Sequence, residues 1–544
     1  MSEWWRGAVI YQVYPRSFQD SKGDGIGDLN GITNRLPHIA SLGVDAVWLS
    51  PVFTSPMKDM GYDVSNYKDI DPSFGSLADF DALIARAHAL GLKIIIDQVL
   101  SHTSDKHLWF HESRKNRHNE FADWYVWAEP KPDGSPPNNW PSVFGGSAWE
   151  WEPRRRQYYL HNFLIEQPDL NMHNPAVQEA ILDIMRFWLA RGVDGFRLDT
   201  VNYYFHDLAL RDNPPNPDMK PSDTPAEIYG WQSHEYSKNR PENIAFLRKM
   251  RATTDEFDAR MMVGEVGDSG DIGIRLMADY TRGTGLLHMC YNFEMLGPKF
   301  GARHFRHIIE GFQKGAADGW PSWSFSNHDV PRHVTRWQAH GKDADALAKL
   351  SVALLMSFEG TIGIYQCEEL GLPEAELAYQ ELTDPPGLRF WPEVKGRDGC
   401  RTPMVWESAS PHGGFSSATP WLPVKGPHLE KAVDLQEGQA DSVLNAYRTI
   451  IAFRKSSPAL QRGRTAFIDL PEPVLAFHRM VDDQVITCVF NLSAKPVDVK
   501  LSGDYLLEGP RQGAALADEL LMLEANGFVF LRTSGAGKPA LAMA

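Results

Sequence analysis

Short runs of almost uninterrupted apolar residues recur along this chain, with helix-periodic stretches between them. Lys93-Ile-Ile-Ile-Asp97 is the clearest run, and Leu77–Leu90 and Ala176–Arg191 are amphipathic stretches of the other kind. A strand apolar on both faces cannot border water. It belongs in a parallel sheet covered by helical crossovers. The runs predicted as strands are Ala8–Val13, Val44–Leu49, Lys93–Val99, Gly195–Leu198, Met262–Glu265, His288–Tyr291, Trp323–Phe325 and Thr361–Tyr365. Eight strands joined by helices predict an α/β fold, a (β/α)8 barrel.

A minimal barrel takes about 250 residues, and the chain has 544. The predicted barrel occupies 1–102 and 170–460. Residues 103–169, rich in Trp, Pro, Asn and Gly, read as a small irregular lobe inserted after the third strand. Further insertions span about 203–243 and 368–435. After a last helix near Ser442–Lys455, apolarity alternates with period two in Val474–His478, Gln484–Phe490, Val497–Leu501 and Gly527–Leu531. That pattern predicts an antiparallel C-terminal β-sandwich over 461–544. The Gly/Ala-rich tail from Ser534 is expected to pack weakly.

The formal charge of −16 disfavours a phosphate backbone as ligand. No apolar run reaches the roughly 20 residues of a membrane span, and Met1–Ile10 lacks an export signal. Cys290, Cys367, Cys400 and Cys488 form no CxxC pair. The expectation is a reduced, cytoplasmic protein, a monomer or homodimer, with no nucleic-acid or membrane partner and no organic cofactor.

Catalytic groups of such barrels lie at the C-terminal ends of strands. Here those ends read Asp97-Gln-Val-Leu-Ser-His102, Arg197-Leu-Asp199, Val263-Gly-Glu265 and Asn327-His328-Asp329. Several carboxylates converging on one rim repel one another unless a reaction requires them. A reaction can require them where one carboxyl acts as an anion and another gives and takes a proton. Arg197, two residues before Asp199, points to the same side of its strand and favours its ionised form. A carboxyl that acts as an acid, with Glu265 a candidate, must keep its proton near neutral pH.

These blocks resemble the α-amylase superfamily, glycoside hydrolase family 13. Trp4-Trp-Arg-Gly-Ala-Val-Ile-Tyr-Gln-Val-Tyr-Pro-Arg-Ser-Phe18 and Gly396-Arg-Asp-Gly-Cys-Arg-Thr-Pro-Met-Val-Trp406 resemble its oligo-1,6-glucosidase and α-glucosidase branch. The resemblance implies an exo-acting retaining α-glucosidase. Asp199 is then the nucleophile, Glu265 the acid/base and Asp329 the transition-state stabiliser. It further implies that His102 and His328 donate to sugar hydroxyls, that Asp59 and Arg397 hold the terminal glucose, and that Tyr62 stacks on its ring. Phe144 and Phe163 are candidate walls of the pocket. Gln98 and Ser101 depart from the family pattern. So does Thr200, which stands where α-1,6-preferring relatives tend to carry Val; that favours α-1,4 or mixed linkages and short, maltose-like substrates, with glucosyl transfer to hydroxyl acceptors. The alternative on the same scaffold is a sucrose or trehalose isomerase. A catalytically dead relative, such as a transporter subunit, would lack the nucleophile or the acid.

Asp20-Ser-Lys22-Gly-Asp24-Gly-Ile26-Gly-Asp28 resembles a calcium loop. Oxygen donors at every fourth position suit Ca2+ or Mg2+, with Asp20, Lys22, Asp24, Ile26 and Asp28 as the expected set. Lys22 stands where relatives usually carry Asn or Asp. It cannot ligate through its side chain, so its ammonium is the alternative occupant.

Overall fold

The computed structural model describes residues 3–220, 227–503, 505–533 and 540–543. Eight parallel strands form the central sheet: β1 (Val9–Val13), β2 (Ala46–Leu49), β3 (Lys93–Gln98), β4 (Gly195–Leu198), β5 (Met261–Val266), β6 (Met289–Asn292), β7 (Ser322–Ser324) and β8 (Thr361–Tyr365). Their order is β6-β5-β4-β3-β2-β1-β8-β7, and a parallel bridge between Cys290 and Pro321 brings the two edges together into a barrel.

Strand alternation separates two layers of core. Ile10, Ala46, Trp48, Ile95, Met261, Val263, Met289 and Tyr291 fill the interior. Val9, Tyr11, Val47, Leu49, Ile94, Ile96, Phe196 and Leu198 face the helices. Buried on both faces, these strands carry little polar side-chain surface until their C-terminal ends. Gly195 stands where a Cβ would lie 2.7 Å from the Met261 carbonyl oxygen, so it permits the close approach of β4 to β5.

The helices start where the sequence supplies caps. Ser76 and Asp79 form a reciprocal capping box before Leu77–Ala89, and Asn174 caps Pro175–Ala190 with proline in its first turn.

The inserted lobe leaves and rejoins the barrel at one place. His102 bridges Asp169, and the amide of Leu170 donates to the Ser101 carbonyl at 2.9 Å. The lobe is more regular than its composition implied: Trp127–Ala128, Trp149–Glu152 and Gln157–Leu160 form a three-stranded antiparallel sheet around Trp140 and Trp149.

At the C-terminus, Arg464–Ile468, Val474–Val481, Gln484–Asn491, Val497–Ser502, Tyr505–Ala517, Leu520–Thr533 and Ala540–Met543 form one hydrogen-bonded sheet. The long strand Leu520–Thr533 pairs with Val497–Ser502 through one half and with Gln484–Asn491 through the other. The layers of the expected sandwich are therefore halves of one continuous sheet, closed around Val474, Val489, Val499, Leu521 and Val529. The tail expectation is corrected at Ala540–Met543, which pairs antiparallel with Val499–Ser502; Ser534–Pro539 and Ala544 lie outside the described residues. Main-chain pairing sets that edge strand, and Leu541 buries into the same core with Met543 packed against it.

No helix among the described residues is long and apolar enough to cross a membrane. All four cysteines are free thiols and buried.

Candidate active site

The inward-facing series of the barrel turns polar at its C-terminal rim. Arg197 on β4 stands in register with Asp97 on β3 and Val263 on β5. Glu265 follows two residues after Val263 on the same face. Arg197 is fully buried and contacts three carboxylates: Nη1 lies 2.8 Å from Asp97 and 2.7 Å from Asp199, and Nη2 lies 2.6 Å from Glu265. The Tyr291 hydroxyl, 3.0 Å from Nη2, donates to Glu265 Oε1 at 3.1 Å. The amide of Thr200 donates to Glu265 Oε2 at 3.0 Å, from a left-handed conformation with φ of 39°. β-Branched residues rarely hold such a backbone, so the residue after Asp199 is strained where it touches Glu265.

One guanidinium cannot neutralise three carboxylates. Burial raises the carboxyls of Asp199 and Glu265 above their ordinary range; Arg197 opposes this, and neighbouring carboxylates reinforce it, Asp97 and Asp329 at Asp199, Asp199 and Asp329 at Glu265. Asp97 is pushed up to about 6, also by burial first. The expectation that Glu265 is raised holds. Arg197 does not keep Asp199 at an ordinary carboxylate value, because the same cation also serves Asp97 and Glu265. The trio titrates as a coupled set that retains protons near neutral pH.

Asp329 behaves oppositely. Burial alone would raise it, but the guanidinium groups of Arg397 and Arg401 outweigh burial and hold it below its ordinary value. Burial also drives His328 well below its ordinary value, so it is neutral and the two arginines supply the charge. They reach Asp329 Oδ1 at 3.3 and 3.1 Å.

The tautomer of His328 follows from its neighbours. The Gln12 amide faces Nδ1 at 2.8 Å, which leaves the proton on Nε2, 2.5 Å from the Tyr62 hydroxyl. Tyr62 in turn donates to Asp97 Oδ2 at 3.1 Å. Its ring stacks on His328 at 5.3 Å and 5°, so only its other face is open to a sugar. His102, pushed down to about 4 by burial, directs Nε2 to the Tyr62 carbonyl at 3.0 Å. Both histidines line the cavity, but each must exchange a protein hydrogen bond before donating to a sugar hydroxyl.

Arg397 closes one end. Its Nη2 lies 2.8 Å from Asp59 and 2.6 Å from Asp384, and its guanidinium covers the Phe144 ring at 5.1 Å. Phe144 contacts Phe163, and Phe163 contacts both His102 and Tyr203. These side chains and the three rim carboxylates Asp199, Glu265 and Asp329 surround a cavity of about 880 Å³. Its far wall comes from the segment after β4: Asn216, Pro217 and Asp218, then Tyr229, Gln232, His234 and Lys238. Pro221 and Pro225, part of the same proline cluster, lie outside the described residues.

Sequence reasoning missed Asp384, Arg401, Gln12 and Tyr291, which hold functional groups in place. Arg401 lay within the block Gly396–Trp406, Gln12 within Trp4–Phe18, and Tyr291 ends a predicted strand; these positions were legible although the partners of Gln12 and Tyr291 were not, and Asp384 carries no local signal.

The expected metal loop does not fit a divalent cation. Asp20 already accepts from the amides of Lys22, Gly23 and Gly25 and from the Ser416 hydroxyl at 2.6–2.9 Å. Asp28 accepts from Ser21 and caps Leu29–Ser41 through the Gly31 amide. Asp24 is exposed and accepts from the Ile26 amide. The Lys22 ammonium donates to the carbonyls of Ser73 at 2.5 Å and Pro72 at 3.4 Å. Among the described residues no group of three or more His, Cys, Asp or Glu is arranged to hold a metal ion. The Lys22 ammonium points out of the loop to Ser73 and Pro72, and the loop carboxylates are held by the loop's own amides and hydroxyls.

Residues 12–463 match the family described as alpha amylase, catalytic domain. The chain is 58% identical over 536 residues to a probable alpha-glucosidase of Rhizobium meliloti, covering 97% of each chain. It is 38% identical over 533 residues to an oligo-1,6-glucosidase of Heyndrickxia coagulans, covering 91% of this chain and 93% of that one. The crystal structure of the alpha-glucosyl transfer enzyme XgtA superposes with a TM-score of 0.94 at 51% identity, covering 98% of this chain and all of that one. The chain is a glycoside hydrolase of family 13, in the α-glucosidase and oligo-1,6-glucosidase branch of the α-amylase superfamily.

Proposed function

We propose that this α-glucosidase removes single glucose units from the non-reducing ends of short, maltose-like α-glucosides and passes part of that glucose to hydroxyl acceptors. The observation that carries the reading is a cavity closed at one end by the Asp59–Arg397 pair, with Asp199 and Glu265 tethered to the two arms of one guanidinium at its base. Glycosidases that retain configuration hold their carboxyls about 5–5.5 Å apart, and a shared guanidinium favours such closeness.

In this mechanism a glucose fits against Asp59, Arg397 and the free face of Tyr62. Ionised Asp199 attacks the anomeric carbon while Glu265 gives its proton to the leaving oxygen. Asp329, kept charged by Arg397 and Arg401, stabilises the oxocarbenium-like transition state. Glu265, now ionised, takes a proton from water or an acceptor hydroxyl, which attacks the glucosyl–Asp199 ester and returns α-configured product. The shared proton of the empty site passes to Glu265 because attack requires Asp199 bare.

Proton NMR of maltose digestion tests the reading: α-glucose should appear first, and initial β-glucose overturns it. The same assay with sucrose separates the isomerase reading, which requires a rearranged disaccharide as the main product.

A further inference from the structure

Lys238, Tyr203 and Tyr229, all lining the cavity, form a hydrogen-bonded chain. Lys238 is 2% exposed. An ammonium has three N–H groups and no lone pair. Those of Lys238 meet the Tyr203 hydroxyl at 3.1 Å, the Gly267 carbonyl at 3.0 Å and Asp268 Oδ1 at 3.1 Å. The Tyr203 oxygen accepts from Lys238, and the Tyr203 and Tyr229 hydroxyls lie 2.7 Å apart, one donating to the other. With Tyr203 as the donor, the Tyr229 proton points elsewhere.

The Tyr229 ring is fixed. It stacks on His234 at 3.7 Å and 14°. His234 Nε2 donates to the Tyr229 carbonyl at 2.9 Å, and Nδ1 lies 3.3 Å from the Ser237 hydroxyl. Tyr203 and Tyr229 both line the cavity, across from the end that Asp59 and Arg397 close.

We propose that Tyr203, which accepts from Lys238, donates to Tyr229, that Tyr229 donates its own O–H to an oxygen of the leaving or accepting sugar, and that Lys238 and Tyr203 are positioning residues that point it there. This rests on the reading that a glucosyl unit occupies the Asp59–Arg397 end. The ligand so recognised is a polyhydroxylated unit beyond the scissile bond, as in maltose. An aglycone with no oxygen acceptor cannot use this contact.

The test compares maltose with α-glucosyl fluoride, whose leaving group has no hydroxyl. Tyr229→Phe should lower kcat/KM for maltose about 3- to 10-fold, the range of one neutral hydrogen bond, and lower transfer from α-glucosyl fluoride to added maltose in proportion. Hydrolysis of α-glucosyl fluoride should stay within about 2-fold. Tyr203→Phe should shift maltose in the same direction, and the double variant should be no worse than Tyr229→Phe, because both act through one contact. Equal losses on both substrates, unchanged maltose kinetics, or additive effects of the two substitutions would each overturn the proposal. A wild-type enzyme that does not cleave α-glucosyl fluoride would instead overturn the glucosidase reading beneath it.

Discussion

Arg197 holds Glu265 at 2.6 Å as closely as it holds Asp199 at 2.7 Å. The two carboxyls must nevertheless be in opposite protonation states when a substrate reacts. One cation common to both cannot choose between them; the substrate does, because the leaving oxygen needs a proton and the anomeric carbon needs a bare carboxylate. Asp199→Asn should therefore abolish turnover of every substrate while the protein stays folded. Glu265→Gln should cost maltose about 10²- to 10⁴-fold, the usual contribution of general acid catalysis, yet cost glucosylation by α-glucosyl fluoride far less, since fluoride leaves unprotonated. Burst kinetics with the two substrates check this. Equal losses on both would remove Glu265 from the acid role.

The same crowding makes a stability prediction with a definite sign. Glu265 rises from its ordinary 4.5 to about 7 in the folded protein, through burial first. The native state thus binds its proton more tightly than the unfolded chain does. That contribution is fully present below about 4.5 and is lost as pH rises through about 7. Gln is neutral throughout, and its presence leaves Arg197 still paired with Asp97 and Asp199. The melting temperature of Glu265→Gln should exceed that of the wild type by about 1 °C at pH 8, the shift that roughly 1 kcal/mol gives in a chain of 544 residues. The gap should close towards pH 4.5. A variant less stable than wild type at pH 8 would show that the third carboxylate is net favourable.

The Lys22 ammonium ties the Asp20–Asp28 loop to the carbonyls of Ser73 and Pro72, while the loop carboxylates are occupied by amides and hydroxyls. Chelator should leave the melting temperature unchanged, because mass action needs a bound ion to remove. Lys22→Met should lower it slightly, by about 1–2 °C, through loss of the bonds to Ser73 and Pro72. A chelator-induced drop in the wild type would overturn the assignment.

Thr200 and Ser101, both departures from the family pattern, touch each other: their hydroxyls lie 3.2 Å apart, and Thr200 Oγ1 lies 3.3 Å from Asp199 Oδ2. Thr200→Val removes both polar contacts beside the nucleophile. The ratio of maltose to isomaltose turnover should fall about 3- to 10-fold, as for loss of about one hydrogen bond. An unchanged ratio in a substrate panel would show that linkage preference is set elsewhere.

What the sequence made legible follows from chain locality. Period and apolarity identify β3 and β4 because each strand carries its own signal, and the groups at their ends, Asp97 and Asp199, come with them. The whole catalytic rim was readable in this way. Asp384 was not: it lies in an irregular insertion and earns its place only by meeting Arg397, 13 residues later, and Arg401 in space. Gln12 likewise sits on an ordinary apolar strand, and only its approach to His328, 316 residues away, gives it a role. The edge strand Ala540–Met543 was missed because Leu541 and Met543 give only two periods of alternation inside a Gly/Ala-rich stretch, too few to read as a strand before their packing on the C-terminal core is seen.

The segment after β4 is the remaining constraint on what enters. Asn216–Asp218 and Tyr229–Glu235 line the mouth of the cavity. They are two sides of one ribbon, joined where Pro215 bridges Gln232 and where the Ser233 amide donates to the Pro214 carbonyl at 2.9 Å. Asn139 of the inserted lobe pins this ribbon. Its side chain exchanges two hydrogen bonds with the Asn213 backbone at 2.8 and 2.9 Å, and its carbonyl accepts from Gln232 at 2.8 Å. Proline at 214, 215 and 217 stiffens what Asn139 anchors. A stiff, anchored ribbon narrows the mouth beyond the scissile bond, so maltose should be cleaved far better than maltohexaose. Asn139→Ala keeps the main-chain bonds but removes both side-chain bonds, freeing the ribbon without touching the catalytic carboxyls. The kcat/KM ratio of maltohexaose to maltose should then rise about 3- to 10-fold, the worth of one to two neutral hydrogen bonds. The transferred fraction should fall as water gains entry. Wild-type cleavage of starch as readily as maltose would overturn the narrowing, and an unchanged ratio in Asn139→Ala would show that the ribbon holds its place without that anchor.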